Sequence, residues 1–501
     1  MPWIRSAIAG ALLTGPALLG FFAGGYFDEP RLWAGVIAWL LVIAVAVACP
    51  RPWPRRLAAW AAIAGLAGLT LWTALSIGWT PLRDAALADT QRLAMYLGAL
   101  IAGVAVFRAR GTARAVEPAL ALGILALVVE GLSERLLPGL FTLEQSRAAP
   151  GRLLQPLTYW NAMGLLAAMG VLLCVRIAGD VSRPAWMRAA AAAATPTLAT
   201  GGYLTLSRGA VLAVIVGLIL LALLQPVRPQ LRAMAVAVVC AAPAVAVSAV
   251  LDGVRALEGS ASARRTEGLI MLAVLLVASA AAALATTRGP WAQAAGRVSP
   301  PVRRGLAITG ALVAVGVVVT FSVLTMEREH AVDAREERAS NARLVSSDSV
   351  RGDFWRVARD VFADDVLHGI GSGGYAAAWL RERPIAYAAR DAHSLYFETA
   401  AELGIVGLGL LLVMLGGIAA CAREAVRRDR VVAAGPVAVL AAWAVHAGLD
   451  WDWEIPTLAL IAVLMAAVLI AQADEERSTE ILASREVAEP APAEPRHEVV
   501  L

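Results

Sequence analysis

The chain has 501 residues, of which 59% are hydrophobic and 16% charged, and it carries a formal net charge of +4. An ordinary soluble domain has about 25% charged residues, so this composition excludes soluble globular enzymes as well as disordered and fibrous proteins. All 43 basic residues are arginines, which excludes a Walker A phosphate loop and a lysine Schiff base. The four cysteines lie far apart in apolar runs, so they predict small core side chains and no disulfide or zinc site.

A membrane-spanning helix needs roughly 20 mostly apolar residues, and the chain contains fourteen such runs. They cover residues 6–27, 32–49, 57–78, 90–107, 115–132, 161–178, 187–206, 209–224, 231–249, 268–286, 304–324, 395–419, 432–448 and 454–472. The sequence therefore predicts an all-α, polytopic transmembrane helical bundle of about 12–14 spans.

This pattern divides the chain into four parts. Residues 1–324 form an N-terminal transmembrane bundle of about 11 spans, and residues 325–394 form one long hydrophilic loop. Residues 395–472 form the C-terminal transmembrane helices. The tail 473–501 is rich in Glu, Ala and Pro, a composition that predicts disorder.

The arginines of the short loops predict the orientation. With the N-terminus in the cytoplasm, the short inner loops carry 19 arginines and the short outer loops carry 10, as the positive-inside rule requires. We therefore expect a multi-pass protein of the cytoplasmic membrane, with the loop 325–394 outside and the tail inside. The basic net charge is then a signal of topology and indicates no nucleic-acid partner.

The long loop contains three features. A charged stretch, Glu327–Arg338, predicts a solvated helix. Helical spacing then places Arg351, Trp355 and Arg359 on one face. The segment 369–374 formally matches G-x-G-x-x-G, but no βαβ unit surrounds it, so a tight glycine turn packed on the membrane surface is favoured over a dinucleotide site.

The loop ends at His393, between Asp391 and Ser394, where an apolar run begins. One interpretation is an interfacial histidine that caps the next helix. The other is a general base, because imidazole titrates near neutral pH. The residues alone leave both open, and the cap is the simpler of the two.

Arg208 follows Ser207 between two apolar runs with almost no loop. An arginine so close to the hydrocarbon is costly unless it is paired or reaches the interface. The alternative is an anion clamp, since a guanidinium fork matches phosphate oxygens. Both interpretations stay open.

A third cluster lies at the outer end of the penultimate run. His446 and Asp450 are spaced i, i+4, a spacing that allows them to pair, and Trp451 and Trp453 suit an interfacial aromatic belt. A structural role is favoured for this cluster. Its carboxylates form no ligand set specific enough for a metal site.

Four sequence elements together resemble the O-antigen ligase and O-antigen polymerase superfamily of bacterial membrane glycosyltransferases. They are Ser207-Arg208-Gly209, Arg351 with Phe354-Trp355 and the turn 367–371, His393-Ser394-Leu395-Tyr396 followed by the segment 402–407, and His446 with Asp450-Trp451-Asp452. The resemblance covers about residues 60–470. One departure is Ser394, because the family often has Asn after its loop histidine.

The resemblance implies a GT-C-like, metal-independent glycosyltransferase without a cofactor. Such an enzyme moves a glycan from undecaprenyl diphosphate to a hydroxyl of a glycan, lipid or wall-polymer acceptor outside the membrane, and a single displacement would invert the anomeric carbon. Arg208 and Arg351 would hold the donor diphosphate, and His393 would deprotonate the acceptor. Residues expected to support them are Ser207, Trp355, Asp391, Ser394, His446 and Asp450, and Arg381, Arg383 and Arg390 are further candidates for the diphosphate.

Three alternatives remain at this point. Ligase and polymerase differ only in the acceptor, and the sequence does not decide between them. A transporter of an envelope precursor predicts broken helices in paired halves and more buried charges, and the sequence indicates neither. A non-catalytic scaffold for envelope assembly is the third hypothesis.

Overall fold

The computed structural model describes residues 2–49, 52–288, 296, 298–305, 308, 312 and 351–474. Most of the predicted span 304–324 lies outside these residues. The same is true of the first part of the long loop, including the helix expected over Glu327–Arg338, and of the tail from residue 475.

The described part of the chain is all-α, as the sequence predicts, and its only extended pairing is one isolated bridge between Pro138 and Phe141. Its helices are α1 (Pro2–Gly20), α2 (Asp28–Ala48), α3 (Leu57–Ser76), α4 (Arg83–Val106), α5 (Arg110–Leu136), α6 (Trp160–Gly179), α7 (Ala185–Leu204), α8 (Arg208–Leu224), α9 (Arg228–Val250), α10 (Asp252–Arg255), α11 (Ala261–Thr287), α12 (Arg351–Asp364), α13 (Tyr375–Glu382), α14 (Leu395–Arg428), α15 (Arg430–Ala447) and α16 (Pro456–Asp474).

Ten of these helices are long and apolar enough to cross a membrane. They are α1, α2, α3, α5, α6, α9, α11, α14, α15 and α16. The predicted runs 90–107, 187–206 and 209–224 coincide with α4, α7 and α8, of which α8 is an apolar helix of 17 residues. The protein is therefore a polytopic helical bundle, while the count of about 12–14 spans stays a prediction.

Two helices occupy the centre of the bundle. In α16 the whole 18-residue apolar window is buried, and in α6 the buried share is 94%. Outer helices approach one another through small residues: a Cβ atom at Gly65 of α3 would lie 2.5 Å from the backbone nitrogen of Met414 in α14. Small residues at such contacts let membrane helices pack backbone to backbone.

α14 is interrupted at Gly404, which has φ +63° and ψ −163°. The break exposes the carbonyls of Ala401 and Glu402, and these accept hydrogen bonds from the amides of Ile370 (3.2 Å) and Gly371 (2.8 Å). Broken backbone at membrane depth persists only where such partners satisfy it. The sequence does not predict this break, because a glycine inside an apolar run gives no indication of its backbone φ.

The described part of the long loop folds over this break. α12 and α13 bury an aromatic core of their own that includes Phe354, Trp355, Tyr375 and Trp379. The Tyr375 hydroxyl donates to the carbonyl of Phe354 (3.0 Å) and ties the two helices together. This packed unit holds Arg351 and His393 over the ends of α6 and α15.

Candidate active site

Asp450 lies at the centre of a buried polar network at the ends of three helices, α6, α12 and α15. Its carboxylate accepts hydrogen bonds from the Tyr159 hydroxyl (2.7 Å), the Asn161 amide (2.7 Å) and the Arg351 guanidinium (2.5 Å). Its side chain is only 1% exposed. Burial by itself would raise the pKa of Asp450, but the Arg351 charge, the neighbouring histidines and the Tyr159 hydrogen bond hold it below its usual range. The carboxylate is therefore ionised.

Arg152 is a buried arginine that joins this network to the turn before α8. Its guanidinium donates to the carbonyls of Thr205 (2.8 Å) and Leu206 (3.3 Å) and to the Asn161 side-chain oxygen (3.4 Å). It also lies 4.6 Å from the ring centroid of Trp160. Because both the start of α6 and the turn 205–207 contact Arg152, their relative position is fixed.

Ser207 and Arg208 begin α8 beside this network. Ser207 is the N-cap, and its hydroxyl accepts a hydrogen bond from the Ala210 amide (3.3 Å). Arg208 is the first helical residue and is half-buried. A Cβ atom at Gly209 would lie 2.9 Å from Nε2 of His446, so a glycine here lets the imidazole approach the first turn of α8.

His446 pairs with Asp452 and not with Asp450, so the interpretation that the i, i+4 spacing allows is wrong. The Nδ1 atom of His446 lies 2.6 Å from Oδ2 of Asp452. The i, i+4 spacing fails because α15 ends at Ala447, so Asp450 no longer lies on the helix. Nε2 of His446 is buried and has no hydrogen-bond partner among the described residues.

One ring nitrogen of His393 is bound to the backbone. Its Nδ1 lies 3.0 Å from the carbonyl oxygen of Asp391. A carbonyl oxygen only accepts, so Nδ1 carries the proton in this bond and Nε2 presents a lone pair. The geometry suits proton abstraction by Nε2.

The backbone around His393 is strained and braced. His393 has φ +53°, a left-handed conformation that non-glycine residues rarely adopt. On one side the Ala392 amide donates to Glu398 (2.8 Å). On the other side Ser394 caps α14 by accepting from the Phe397 amide (3.5 Å). The helix cap is therefore Ser394, and the interpretation of His393 as the cap is wrong.

The surroundings of His393 favour its neutral form. Its ring centroid lies 4.8 Å from that of Phe354 and 6.3 Å from that of Trp451. Burial lowers the pKa of His393, and the Arg351 charge lowers it further, while Asp450 opposes both. A neutral imidazole near pH 7 is the form that accepts a proton.

The glycine turn is confirmed, and it belongs to the break in α14. Gly369, Gly371 and Gly373 all have positive φ. The carboxylate of Glu402 accepts from the amides of Gly373 (2.9 Å) and Tyr375 (3.0 Å). The turn thus positions α13 against the broken helix.

The segment 261–412 matches the family model described as O-antigen ligase. No curated protein is significantly similar to the chain. This segment is thus similar to the O-antigen ligase and polymerase superfamily. Together with the ten apolar helices, the match supports a multi-pass membrane glycosyltransferase in general terms, and it does not favour the transporter alternative.

The family match covers α11, the described loop and the first half of α14. His393, the glycine turn and the break at Gly404 lie inside it. Arg208, His446 and Asp450 lie outside it.

The site residues predicted from the sequence divide into two groups. Arg351, His393 and Asp450 come together in one network, and Asp391 contributes its carbonyl oxygen. The half-buried carboxyl of Asp391 has its pKa raised by burial. Trp355 is a packing residue that stacks on Phe397 with ring centroids 5.6 Å apart.

Several arginines of the loop do not join the network. Arg359 was expected on the face of Arg351, but it is exposed and pairs with Asp360 (2.9 Å), because eight residues do not complete a whole number of helical turns. Arg381 and Arg383 are exposed. Arg390 is exposed as well and donates to the Tyr26 hydroxyl (3.1 Å).

The two tryptophans do not form the expected interfacial belt. Trp451 packs between Tyr26 and Tyr159, with ring centroids 5.6 Å and 4.7 Å away. Trp453 is buried against Tyr96. The turn after α15 points into the bundle, so both rings pack internally.

Sequence reasoning missed Tyr159, Asn161 and Arg152. Asn161 had a signal, since it is one of only two asparagines in the chain and opens an apolar run. The sequence indicates Arg152 only as one of the charges of the short outer loops. The buried charges of Asp450, Asp452 and Arg152 also exceed what the sequence indicated.

Proposed function

We propose that this protein moves a glycan from undecaprenyl diphosphate to a hydroxyl acceptor on the outer face of the cytoplasmic membrane. The observation that carries the proposal is the geometry of His393: an imidazole bound through Nδ1 to a carbonyl and placed beside the Arg351–Asp450 pair. A neutral base next to fixed arginines is what transfer from a diphosphate leaving group requires. The family match supports the same reaction class.

The proposed reaction is a single displacement. Nε2 of His393 takes the proton of the acceptor hydroxyl while the oxygen attacks the anomeric carbon. The bond between that carbon and the diphosphate oxygen breaks, and its electron pair leaves with undecaprenyl diphosphate. Attack opposite the leaving group inverts the anomeric centre.

Arg208 and Arg351 are proposed to stabilise the charge that grows on the diphosphate. The Asp450 carboxylate fixes the direction of the Arg351 guanidinium, so the arginine is positioned before the donor binds. Among the described residues no group of three or more His, Cys, Asp and Glu side chains is arranged to hold a metal ion. We assign charge stabilisation to the arginines and propose a metal-independent reaction, as the resemblance to the ligase and polymerase family implies.

The supporting residues act through Arg208, Arg351 and His393. Ser207 caps the helix that begins with Arg208, and Ser394 caps the helix that follows His393. Asp391 selects the tautomer of His393 through its carbonyl. His446 packs against Gly209 and is proposed to support the start of α8.

The four-part division of the chain is part of the proposal. We propose residues 325–394 as the extracytoplasmic catalytic loop between the N-terminal bundle and the C-terminal helices. The excess of arginines in the opposite loops supports this orientation. The acceptor, a glycan, a lipid or a wall polymer, decides between ligase and polymerase.

The test compares wild type with His393→Ala and Arg208→Ala in membranes. Each receives an undecaprenyl-diphosphate oligosaccharide and a lysate of envelope acceptors, without added metal, and release of undecaprenyl diphosphate is measured. We expect release by wild type and none by the two folded variants. Longer lipid-linked chains would identify a polymerase, and label on another molecule a ligase. Unchanged release by His393→Ala would overturn the base assignment.

A further inference from the structure

An apolar crevice lies between α14 and α15. Its cavity has a volume of about 610 Å³. The two helices are joined only by Asp429 and line the two sides of the crevice. The third wall is α16, which contributes Ala466 and Leu469, 1% and 0% exposed. We call this feature the α14–α15 crevice.

The crevice is long enough for one hydrocarbon chain. On α14 its lining extends over the thirteen residues from Met414 to Arg427, which gives about 20 Å at 1.5 Å per residue. The hydrocarbon core of a bilayer is about 30 Å thick, so this length exceeds the depth of one leaflet. An extended acyl chain is a ligand that matches such a long and apolar space.

Small side chains line the crevice on both helices. Ala419 of α14 is exposed, and Ala422 of α14 and Ala441 of α15 are half-buried. These alanines leave open a space that leucine or phenylalanine would fill. A hydrocarbon chain can therefore enter sideways from the bilayer.

Two arginines lie at the end of the crevice where α14 ends. Arg423 and Arg427 line the crevice, and both are exposed. Their i, i+4 spacing places them on one face of α14, where like charges repel each other. Neither arginine forms an ion pair or a hydrogen bond with the part of the chain that the structure describes. A bound anion would relieve the repulsion between them.

The carboxylates at this end of the two helices have other partners. Glu424, which lies between the two arginines in the sequence, pairs with Arg56 (3.2 Å) and Arg428 (2.9 Å). Asp429 pairs with Arg110 (2.7 Å). The arginines of the crevice are therefore available to a ligand that brings its own negative charge.

Two smaller apolar cavities lack such a pair of arginines. Of the described residues that line the cavity of about 560 Å³ between α1, α2, α4 and α16, the charged one is an acid, Glu29. The described residues that line the cavity of about 310 Å³ between α6, α7, α8 and α9 include no charged side chain. Of these three cavities, the α14–α15 crevice alone combines an apolar channel with cationic groups.

We propose that the α14–α15 crevice binds an anionic phospholipid, with the lipid phosphate between Arg423 and Arg427 and one acyl chain along the apolar lining. Basic pockets between membrane helices recognise such head groups, and a guanidinium fork matches phosphate oxygens. A zwitterionic head group also carries an ammonium, which the two arginines repel. The crevice should therefore prefer phosphatidylglycerol to phosphatidylcholine.

This lipid site is separate from the proposed donor site. α14 begins two residues after His393, and Arg423 lies 28 residues beyond that start, about 40 Å along the helix. The proposal therefore needs neither the glycan donor nor the transfer reaction.

The first test measures the arginines. Labelled dioleoyl phosphatidylglycerol is bound to the delipidated full chain in a neutral detergent, and dioleoyl phosphatidylcholine is the competitor. Arg423→Gln/Arg427→Gln is compared with Arg303→Gln/Arg304→Gln, which removes two exposed arginines outside the crevice and changes the net charge equally. We expect about thirtyfold weaker binding in the first double variant, and affinity within about twofold of wild type in the second.

The second test measures the acyl chain. Ala441→Phe fills the crevice, whereas Val413→Phe places the same ring on α14 at a position that is 48% exposed and outside the lining. Ala441 lies eleven residues, or about 16 Å, from the start of α15, beyond the reach of the chains of dihexanoyl phosphatidylglycerol.

We expect Ala441→Phe to weaken binding of dioleoyl phosphatidylglycerol about tenfold, the effect of losing burial of about two methylene groups. Its affinity for the dihexanoyl lipid should stay within about twofold of wild type, and Val413→Phe should match wild type on both lipids. Equal losses on the two lipids would contradict an acyl chain in the crevice.

Three further outcomes would overturn the proposal. They are equal binding of phosphatidylglycerol and phosphatidylcholine by wild type, equal affinities of the two double variants, and stronger displacement of the label by undecaprenyl phosphate than by phosphatidylglycerol. The last would mean that the crevice holds a carrier lipid. Because no glycan donor or acceptor is present in these measurements, an absence of glycan transfer contradicts only the proposed function.

Discussion

Buried charges occur at both ends of the bundle, and the two groups differ in which residues carry them. At the end opposite His393, Arg183 pairs with Glu117 (2.7 Å) and Asp180 (3.4 Å). Arg176 pairs with Asp180 (3.5 Å) and donates to the carbonyl of Val431. This arginine–carboxylate cluster joins α5, α6 and α15, and all its charged groups are matched by opposite charges.

The cluster around Asp450 contains histidines as well as an arginine. His446 binds Asp452 through Nδ1, while its Nε2 is buried without a hydrogen-bond partner among the described residues. His393 is bound through Nδ1 and has a left-handed backbone. Buried atoms without a hydrogen-bond partner among the described residues also occur in the other cluster, at Glu117 and Arg176, so the two clusters differ in their histidines and in the strained backbone of His393.

The two clusters use buried charge in different ways. The ion pairs of the cluster at Glu117 join α5, α6 and α15, so this cluster holds helices together. Imidazole can accept a proton near pH 7. Burial of charge alone therefore does not distinguish the two clusters, and the proposed active site rests on the braced histidine beside a paired arginine.

The largest expected effect is on turnover. His393→Ala should lower the rate of glycan transfer by about 10²–10⁴-fold, the typical contribution of a general base. Its matched control is His368→Ala, because His368 lies in the same loop but is exposed and pairs with Asp365 (3.1 Å). Transfer rates in membranes, divided by the amount of folded protein, give the measurement. Equal losses of rate in His393→Ala and His368→Ala would contradict the role of His393 as the general base.

Removal of the Asp450 carboxylate should damage both stability and activity. Asp450→Ala leaves Arg351, Tyr159 and Asn161 without their shared acceptor, and breaking a buried ion pair costs about 3–5 kcal/mol. The control Asp353→Ala removes a partly exposed partner of Arg356 and should cost about 1 kcal/mol or less. Unfolding in detergent measures both. Similar losses would show that Asp450 is not a centre of the network.

The opposite cluster should respond in stability only. Glu117→Ala leaves Arg183 and Arg176 without one carboxylate and should lower the free energy of unfolding by about 3–5 kcal/mol. The turnover of the protein that remains folded should equal that of wild type. A loss of turnover per folded molecule would contradict a purely structural role for the cluster at Glu117.

The pH dependence of kcat/KM should follow the protonation of His393. Burial and Arg351 lower its pKa from the ordinary value of about 6.5. A base must be unprotonated, so kcat/KM should be constant above pH 7 and fall with decreasing pH only below about 6.5. The exposed-site variant His368→Gln should give the same profile. A midpoint above 7 would mean that another group limits the reaction.

The smallest expected effect is at the start of α8. Ser207→Ala removes the hydroxyl that accepts from the Ala210 amide and should destabilise the protein by about 1 kcal/mol. Ser207→Thr keeps the acceptor and should restore stability. Thermal unfolding of the three proteins is the measurement, and equal stability of the alanine and threonine variants would rule out the cap.

Much of the fold was accessible from the sequence. The predicted runs 57–78, 161–178 and 395–419 coincide with α3, α6 and α14, because a spanning helix must be apolar over its whole length. The break at Gly404 within α14 was not predictable in this way. Its left-handed φ is imposed by the amides of the glycine turn, which lie more than 30 residues earlier.

The candidate site was only partly accessible. Arg351, His393 and Asp450 could be singled out as polar residues next to apolar runs. Their partners could not, because Asn161 and Asp450 are 289 residues apart and His446 chooses Asp452 over Asp450 only after α15 ends.

The sequence by itself determined that this protein is a polytopic helical bundle and which residues interrupt its apolar runs. Hydropathy is a property of each segment taken alone, so it follows directly from the sequence. The tertiary structure decided which charges meet, which nitrogen of His393 is bound and where the broken helix finds its hydrogen bonds. These depend on which helix ends pack side by side, and that choice follows from the shapes of all the buried surfaces together.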